Sequence, residues 1–247
     1  MIWFILSFGA QRGERMLCSF GSRQMVDNHA TNATHERSES EGQEELISSL
    51  QKLRERLSEA RASGDGLGEA HALGEIGMCL WESGQHARAI VETRSSLRKF
   101  EVLSDLKGRA KQLCRLGVML YERGQIGDPL TLLNSSLSLY EMIGDRTGQA
   151  DVMRNIGRVY EAQGDWSHAL YMLAKAMLIH RELGARRQEA IDMRYIGVII
   201  CQQGSQQEGL SILFNAAEML KSARADGEFA RTQRLIDEMT GGGETMH

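Results

Sequence analysis

The stretch 153–170, "MRNIGRVYEAQGDWSHAL", recurs in modified form forty residues later as 193–210, "MRYIGVIICQQGSQQEGL". The same step of forty links three columns of small residues along the chain: Gly77, Gly117, Gly157, Gly197; Gly84, Gly124, Gly164, Gly204; and Ala70, Ala110, Ala150, Ala190. Because only 26 of the 247 residues are glycine, two fourfold glycine columns at one period do not arise by chance. A period of this length is typical of proteins built from stacked repeats.

Each forty-residue period contains two helical patterns. Met153, Ile156 and Tyr160 fall at i, i+3 and i+7 before the second glycine, which places them on one face of a helix. A second apolar face follows, with Leu170 and Met177. We therefore predict a helical hairpin in each period, with Gly157 and its equivalents allowing the two helices to approach closely. Gly84 and its equivalents are predicted to end the first helix in a left-handed conformation. One hairpin cannot bury its own apolar face, so the hairpins must stack into a superhelix with the first helices on its concave side.

The spacing Met153-x2-Ile156-Gly157-x2-Tyr160, followed by Ala169, resembles the tetratricopeptide repeat in a forty-residue form. It is similar to the repeats of Pins-type scaffolds and of bacterial tetratricopeptide proteins. The resemblance covers about residues 43–240 and implies an all-α fold, an α-solenoid formed as a right-handed superhelix of helical hairpins. The chain departs from the family pattern because no Trp occupies the first signature position, no Pro closes the second helix, and Pro129 and Gly209 replace the second-helix alanine.

The period also predicts how the chain is divided. We expect a disordered or leader segment (1–42), a capping helix (43–62), four repeats from about 66 to 225, a C-terminal capping helix (226–240) and a flexible tail (241–247). The apolar start "MIWFILSFGA" is either a weak secretory signal ending near Ala10 or a non-structural leader from an early start codon. We favour the second because Met16 and Met25 follow. Asp128 and Pro129 predict that the second helix of repeat two begins about three residues late.

Composition and motifs argue against several classes of function. The formal net charge of −4 predicts no binding to nucleic acid or to membrane surfaces. Four scattered cysteines and seven histidines show no metal-ligand spacing, so we predict neither a metal nor another cofactor. The chain contains no GxSxG, HExxH or GxxxxGK[ST] motif, and we predict a cytoplasmic protein that is not an enzyme.

The family resemblance implies that a ligand lies along the concave face, where residues of the first helices contact it. In this chain the candidate contacts are Arg115, Arg154, Asn155, Arg158, Arg194, Tyr195 and Trp81. Arg154 and Arg158 are four residues apart on one helix, and Arg194 is the equivalent of Arg154 one repeat later. Since guanidinium groups donate in pairs to carboxylates, we predict a protein or peptide partner with an acidic segment.

Other interpretations of the same residues stay open. The arginines alternatively pair with Asp151, Glu161 and Glu189 in a solvated ladder. Trp81 and Tyr121 are either anchors for an apolar partner residue or packing residues between repeats one and two. The whole chain is alternatively a structural module that forms homo-oligomers through its end helix 44–60, or a sensor domain that binds a signalling peptide.

Overall fold

The computed structural model describes residues 45–124 and 128–241. It contains a helix over residues 45–63 (α1), followed by nine more: α2 (Gly66–Glu82), α3 (His86–Val102), α4 (Leu106–Glu122), α5 (Pro129–Met142), α6 (Arg146–Ala162), α7 (Trp166–Glu182), α8 (Arg186–Gln202), α9 (Gln206–Ser222) and α10 (Asp226–Met239). These described residues contain no strand, which confirms the all-α prediction. The leader or disordered segment predicted for residues 1–42 and the tail after Gly241 lie outside the described residues.

The helices form antiparallel hairpins that stack in chain order. The hairpins are α2–α3, α4–α5, α6–α7 and α8–α9, and each second helix also packs on the first helix of the next repeat. The predicted close approach within the hairpins is confirmed: a Cβ added at Gly157 would lie 2.8 Å from Leu173 Cγ and 3.2 Å from the carbonyl oxygen of Ala169. The architecture is therefore the predicted α-solenoid.

Left-handed glycines end the first helices, as predicted. Gly84 has a φ of 77° and Gly204 a φ of 93°, and Gly124 and Gly164 lie in the same region. A side chain is strained at such angles, whereas glycine adopts them readily. The turns from first to second helix in repeats one, three and four are consequently short and equal in length.

Buried apolar clusters lie along the whole stack. Every member of the alanine column is completely buried, and each lies where a first helix meets neighbouring helices. At the N-terminal end, Leu50, Leu53 and Leu57 of α1 pack on the first core cluster. At the other end, Ile236 of α10 is buried, whereas Asp237 is exposed. Such ends with a polar outer face are what a stack of repeats needs to avoid exposing its core.

The second helix of repeat two begins late. Helix α5 starts at Pro129, three residues after the position equivalent to the starts of α3, α7 and α9. The side chain of Asp128 accepts a hydrogen bond from the backbone N–H of Leu130, and Pro129 occupies the first turn, where its missing N–H is not needed. This confirms the prediction made from Asp128 and Pro129.

The start of α8 offers a test of how much the N-caps contribute. Asp105 and Asp145 cap α4 and α6 by accepting from the N–H of Gly108 and Gly148, each at 2.9 Å, but Ala185 at the equivalent position of α8 provides no such acceptor. We expect Ala185→Asp to raise the free energy of unfolding by about 1 kcal/mol, because it would accept from an N–H that has no side-chain partner. Urea unfolding followed by circular dichroism measures this change in stability. Ala185→Val is the control, because it enlarges the same side chain without adding an acceptor, and equal stability of the two variants would contradict the prediction.

Candidate functional site

The first helices α2, α4, α6, α8 and α10 form one surface, which we call the inner face. Helix α4 contacts α6, and α6 contacts α8, although a second helix lies between each pair in sequence. Among the described helices, consecutive second helices do not approach each other to this extent. Closer spacing of the first helices is what places them on the concave side of a superhelix.

Four arginines of the inner face form ion pairs between neighbouring first helices. The pairs are Arg115 with Glu75 at 2.9 Å, Arg158 with Glu122 at 3.5 Å, Arg154 with Asp192 in close contact, and Arg194 with Glu228 at 2.6 Å. Together they connect all five first helices, from α2 to α10. The four arginines predicted as site residues thus lie between neighbouring first helices, and each already has a carboxylate partner.

The four arginines differ in how accessible they are. The exposed fraction of the side chain is 8% for Arg194, 14% for Arg154, 16% for Arg115 and 23% for Arg158. Arg158 also has the longest of the four ion pairs, and its distance of 3.5 Å to Glu122 is at the limit for a hydrogen bond. Arg158 is thus the arginine of this row most able to accept a new partner.

Two aromatic rings lie close to the guanidinium of Arg158. Its guanidinium carbon lies 5.5 Å from the centroid of the Tyr121 ring and 5.6 Å from that of Tyr195. Arg194, next to Tyr195 on α8, lies 5.3 Å from the same Tyr195 ring. These distances are within the range of favourable cation–π attraction, which restricts the rotamers of Arg158.

Two further predicted residues join this group. The indole nitrogen of Trp81 donates to Glu122 at 3.1 Å, so Trp81 and Arg158 share one carboxylate. The side-chain oxygen of Asn155 accepts from Arg158 at 3.4 Å. We call Trp81, Tyr121, Glu122, Asn155, Arg158 and Tyr195 the Arg158 cluster.

Of the predicted site residues, Trp81, Asn155, Arg158 and Tyr195 belong to the Arg158 cluster, whereas Arg115, Arg154 and Arg194 lie beside it in the ion pairs. Glu122 was not predicted. The signal for it was its place at the end of the first helix, directly after Tyr121.

The solvated ladder considered as an alternative describes part of this surface. Asp151 pairs with Arg154 at 3.1 Å, as that interpretation expected. Glu189 pairs instead with Arg181, at 2.6 Å. The remaining pairs join neighbouring helices. The pairs of Arg154 with Asp192 and of Arg194 with Glu228 are shielded, whereas Glu75 and Glu122 are partly exposed, as a solvated ladder would have them.

Burial changes the ionisation of groups next to the Arg158 cluster. Burial raises the pKa of Glu161, and the attraction of Arg158 offsets only part of this effect. Burial likewise raises the pKa of Tyr121, so its hydroxyl stays neutral over the physiological range. At Glu75, burial opposes ionisation, but hydrogen bonds from Arg115 and Lys111 outweigh it and the pKa is lowered. Glu75 is therefore an ionised partner for Arg115.

The part of the chain that the structure describes contains no group of three or more His, Cys, Asp or Glu residues placed to hold a metal ion. Within the same residues, no helix combines the length and apolar character required to cross a bilayer.

Comparison with known proteins agrees with this geometry. Residues 109–182, from within α4 to the end of α7, match the family model for the tetratricopeptide repeat. A comparison with curated protein sequences finds no match.

Three solved structures are similar in fold. A Rap protein complexed with Competence and Sporulation Factor has 15% sequence identity and a TM-score of 0.74, over 83% of this chain and 57% of that one. BtubC (BKLC) from P. vanneervenii has 13% identity and a TM-score of 0.58, over 82% of this chain and 93% of that one. The TPR-like repeats of a Podospora anserina protein assigned as a kinesin light chain have 12% identity and a TM-score of 0.58, over 80% and 96%.

The chain therefore spans little more than half the length of the Rap protein. At these identities the likenesses concern the fold alone. The family match over residues 109–182, together with the same helical hairpin repeated on both sides of it, supports the tetratricopeptide family that the glycine and alanine columns indicated.

Proposed function

We propose that the chain is a protein-interaction scaffold that binds an extended acidic peptide segment across its inner face, with Arg158 as the central anchor. Tetratricopeptide repeats typically form interaction scaffolds and not enzymes. The observation that carries the proposal is the position of Arg158, which two tyrosine rings hold in place while its ion pair to Glu122 is long. The cytoplasm remains our prediction for its compartment.

A ligand carboxylate would gain from this arrangement in a specific way. It would replace Glu122 as the partner of Arg158 and form a charge-assisted hydrogen bond with a guanidinium that has already lost most of its rotamer freedom. Trp81 and Tyr195 would then flank the ligand on either side of the anchor, and Asn155 offers an amide to its backbone. Because Glu122 also accepts from Trp81, it keeps a partner when Arg158 turns to the ligand.

The other predicted arginines have a different part in the proposal. Arg154 and Arg194 are largely buried and have short contacts to carboxylates of the next first helix. Withdrawing such a guanidinium from its partner would leave a shielded carboxylate unpaired, which is costly. Arg154 and Arg194 therefore fix the spacing of the first helices, and Arg115 at the margin provides a secondary contact.

The related fold of the Rap protein, solved in complex with a factor, supports the idea that such a stack can hold a ligand. It does not identify the ligand of this chain. The acidic character of the ligand rests on Arg158 and its surroundings.

A model peptide tests the proposal directly. We expect fluorescein-labelled hexaglutamate to bind with a dissociation constant on the order of 100 µM or tighter at low salt, and hexaglutamine to bind at least about tenfold more weakly. Arg158→Glu should weaken hexaglutamate binding by at least about tenfold, because an anchor is replaced by a like charge. Fluorescence anisotropy measures both constants, and binding should weaken as salt is added.

Two further variants separate the anchor from general electrostatics. Arg94→Glu makes the same change of charge at an exposed position of α3, a second helix, and should leave binding within about twofold of the wild type. Glu122→Gln should strengthen binding by about two- to fivefold, because it releases Arg158 from its present ion pair. If Arg158→Glu stays folded and binds hexaglutamate as the wild type does, the inner-face proposal is wrong and self-association through α1 becomes the leading alternative.

A further inference from the structure

The junctions between successive repeats use different residues at equivalent positions. At each junction the end of a second helix packs on the first helix of the next repeat, and two buried columns meet there: Phe100, Tyr140, His180, Leu220, and Gln112, Val152, Asp192, Thr232. The third junction, between the third and fourth repeats, is the one where both columns carry ionisable residues, His180 and Asp192. The other three junctions therefore serve as internal comparisons for the positions of His180 and Asp192.

The first two junctions contain a glycine that the third junction lacks. A Cβ at Gly108 would lie 2.2 Å from the Phe100 ring, and one at Gly148 would lie 2.4 Å from the Tyr140 ring, so these rings need a glycine beneath them. The third junction has Gln188 at this position and the smaller imidazole of His180. The aromatic–glycine contact is therefore replaced there by a polar arrangement.

Four charged groups meet at the third junction. The side chains of His180 on α7 and Asp192 on α8 are both completely buried, and His180 Nδ1 lies 2.6 Å from Asp192 Oδ2. Arg154 on α6 donates from Nε to the other oxygen of Asp192 and from Nη1 to Asp151 at 3.1 Å. His180 Nε2 is 3.5 Å from Asp151 Oδ1, which is a long contact without hydrogen-bond geometry.

The direction of these hydrogen bonds assigns the proton on Nδ1. Since Asp192 can only accept, His180 Nδ1 must donate to it. The approach of Arg154 Nη2 to the same nitrogen, at 3.3 Å, is then a contact between two donors and not a hydrogen bond; Nη2 donates instead to the carbonyl oxygen of Gln188.

We propose that His180, Asp192, Arg154 and Asp151 make the third junction proton-dependent, so that repeats three and four pack firmly while His180 is charged and loosen when it becomes neutral. With His180 charged, the four groups comprise two cations and two anions. When His180 is neutral, Arg154 alone faces two carboxylates. Solvent screens Asp151, whose side chain is 46% exposed, but Asp192 is completely buried, and an excess of negative charge there is unfavourable.

The direction of the pH dependence follows from the groups that face His180. Burial opposes the charged imidazole, but the nearby carboxylate of Asp151 on α6 and the hydrogen-bonded carboxylate of Asp192 on α8 outweigh burial and the repulsion from Arg154, and the pKa of His180 is raised. The stabilisation is then fully present below the unfolded pKa of about 6.5 and is lost as the pH rises through the higher folded pKa.

The junction also bears on the inner face. Helix α6 carries both Arg154 and Arg158, and α8 carries both Asp192 and Tyr195, so α6 and α8 join the buried charges to the Arg158 cluster. Loosening the junction would shift Tyr195 relative to Arg158 and weaken hexaglutamate binding. This consequence rests on the proposed function, whereas the proton dependence of the junction does not.

A double variant taken from the chain itself provides the test. His180→Leu with Asp192→Thr installs the residues of the fourth junction, where Leu220 and Thr232 are buried and the position equivalent to Gln188 is also not glycine. Nuclear magnetic resonance gives the titration midpoint of the His180 ring, assigned by its loss in His180→Leu, between about pH 5 and about pH 9. Urea unfolding of both proteins over the same range gives the stability.

We expect the His180 midpoint to lie above about 6.5. As the pH rises, the folded-to-unfolded ratio should fall further in the wild type than in the double variant. The difference should be about tenfold for each pH unit by which the His180 midpoint exceeds its unfolded value. A midpoint at or below about 6.5, or equal pH dependence in the two folded proteins, overturns the proposal. Because the midpoint is measured on the wild type, the proposal remains testable even if the double variant does not fold.

Hexaglutamate binding by the two proteins tests the coupling to the inner face separately. Affinity of the wild type should fall more steeply with pH than that of the double variant. If both show the same dependence while the midpoint is raised, coupling to the inner face is refuted and the proton-dependent junction stands. If the wild type does not bind hexaglutamate at all, the proposed function fails, and the titration and unfolding data still decide the present inference.

Discussion

Gly157→Leu is expected to lower the free energy of unfolding by roughly 2 to 4 kcal/mol. A Cβ at this position would be 2.8 Å from Leu173 Cγ and 3.2 Å from the backbone oxygen of Ala169, both on α7. The side chain of Leu173 is fully buried and cannot move aside, and the backbone oxygen cannot move without displacing α7. The two helices of repeat three would have to separate, and their shared core would lose contacts along its whole length.

A second glycine provides the matched control. Gly227 is also helical, in α10, but a Cβ there would meet nothing within 4 Å. Gly227→Leu should therefore leave stability unchanged or raise it by about 0.5 to 1 kcal/mol, because leucine has the higher helix propensity. Urea unfolding of both variants distinguishes crowding from propensity, and a Gly157→Leu protein as stable as Gly227→Leu would show that the close approach is not tight.

Much of the fold follows from the sequence because it depends on columns forty residues apart. Gly157 lies where a Cβ would clash with the facing helix, and Gly84 adopts a left-handed conformation that glycine favours, so each position carries glycine in every repeat. The alanine column repeats for a similar reason, because its members lie where helices leave no room for a larger side chain. Asp128 and Pro129 marked the late start of α5, since capping depends on residues close in sequence.

The candidate site follows from the sequence only in part. Position in the repeat places Arg154 and Arg158 on the inner face, but the partner of each depends on distances between helices that no local pattern specifies. Arg158 reaches back to Glu122 on α4, whereas Arg154, one turn away on the same helix, reaches forward to Asp192 on α8. Two arginines one turn apart on α6 thus pair with carboxylates on opposite neighbouring helices and differ in exposure.

His180 illustrates a signal that was present in the sequence but not used. Its column otherwise reads Phe100, Tyr140 and Leu220, so a histidine there is a departure from an apolar pattern. The column of Asp192 departs in the same repeat, and two ionisable residues entering buried columns at one junction indicate a pair. Only the structure shows that the shared proton lies on His180 Nδ1 and that Arg154 completes the group.

Asp192→Asn is expected to lower the free energy of unfolding by about 3 kcal/mol near pH 6, and by clearly less near pH 9. Asparagine keeps the shape of the side chain but removes the negative charge that faces both Arg154 and His180. At the lower pH, the variant has two cations and only Asp151 to balance them, in a site where the His180 and Asp192 side chains are fully buried. His180 must then lose its proton on folding, and that cost appears as lost stability.

The loss of stability in Asp192→Asn should depend on pH because the charge of His180 does. In the wild type the pKa of His180 is raised, so its stabilising contribution disappears as the pH rises through that value. In Asp192→Asn the neutral imidazole is the favoured form throughout, and the remaining charges of Arg154 and Asp151 balance at high pH. The two proteins should therefore differ most where the wild-type imidazole is charged and least where it is neutral.

Urea unfolding of wild type and variant at both pH values measures the difference. Asp237→Asn is the control, because Asp237 is exposed on α10, and it should change stability by no more than about 0.5 kcal/mol at either pH. An equal loss for Asp192→Asn at both pH values would mean that the carboxylate acts as a hydrogen-bond acceptor and not through charge balance. A loss that shrinks as His180 becomes neutral ties the stability of the third junction to one proton, since Asp192 is the completely buried carboxylate that His180 and Arg154 both contact.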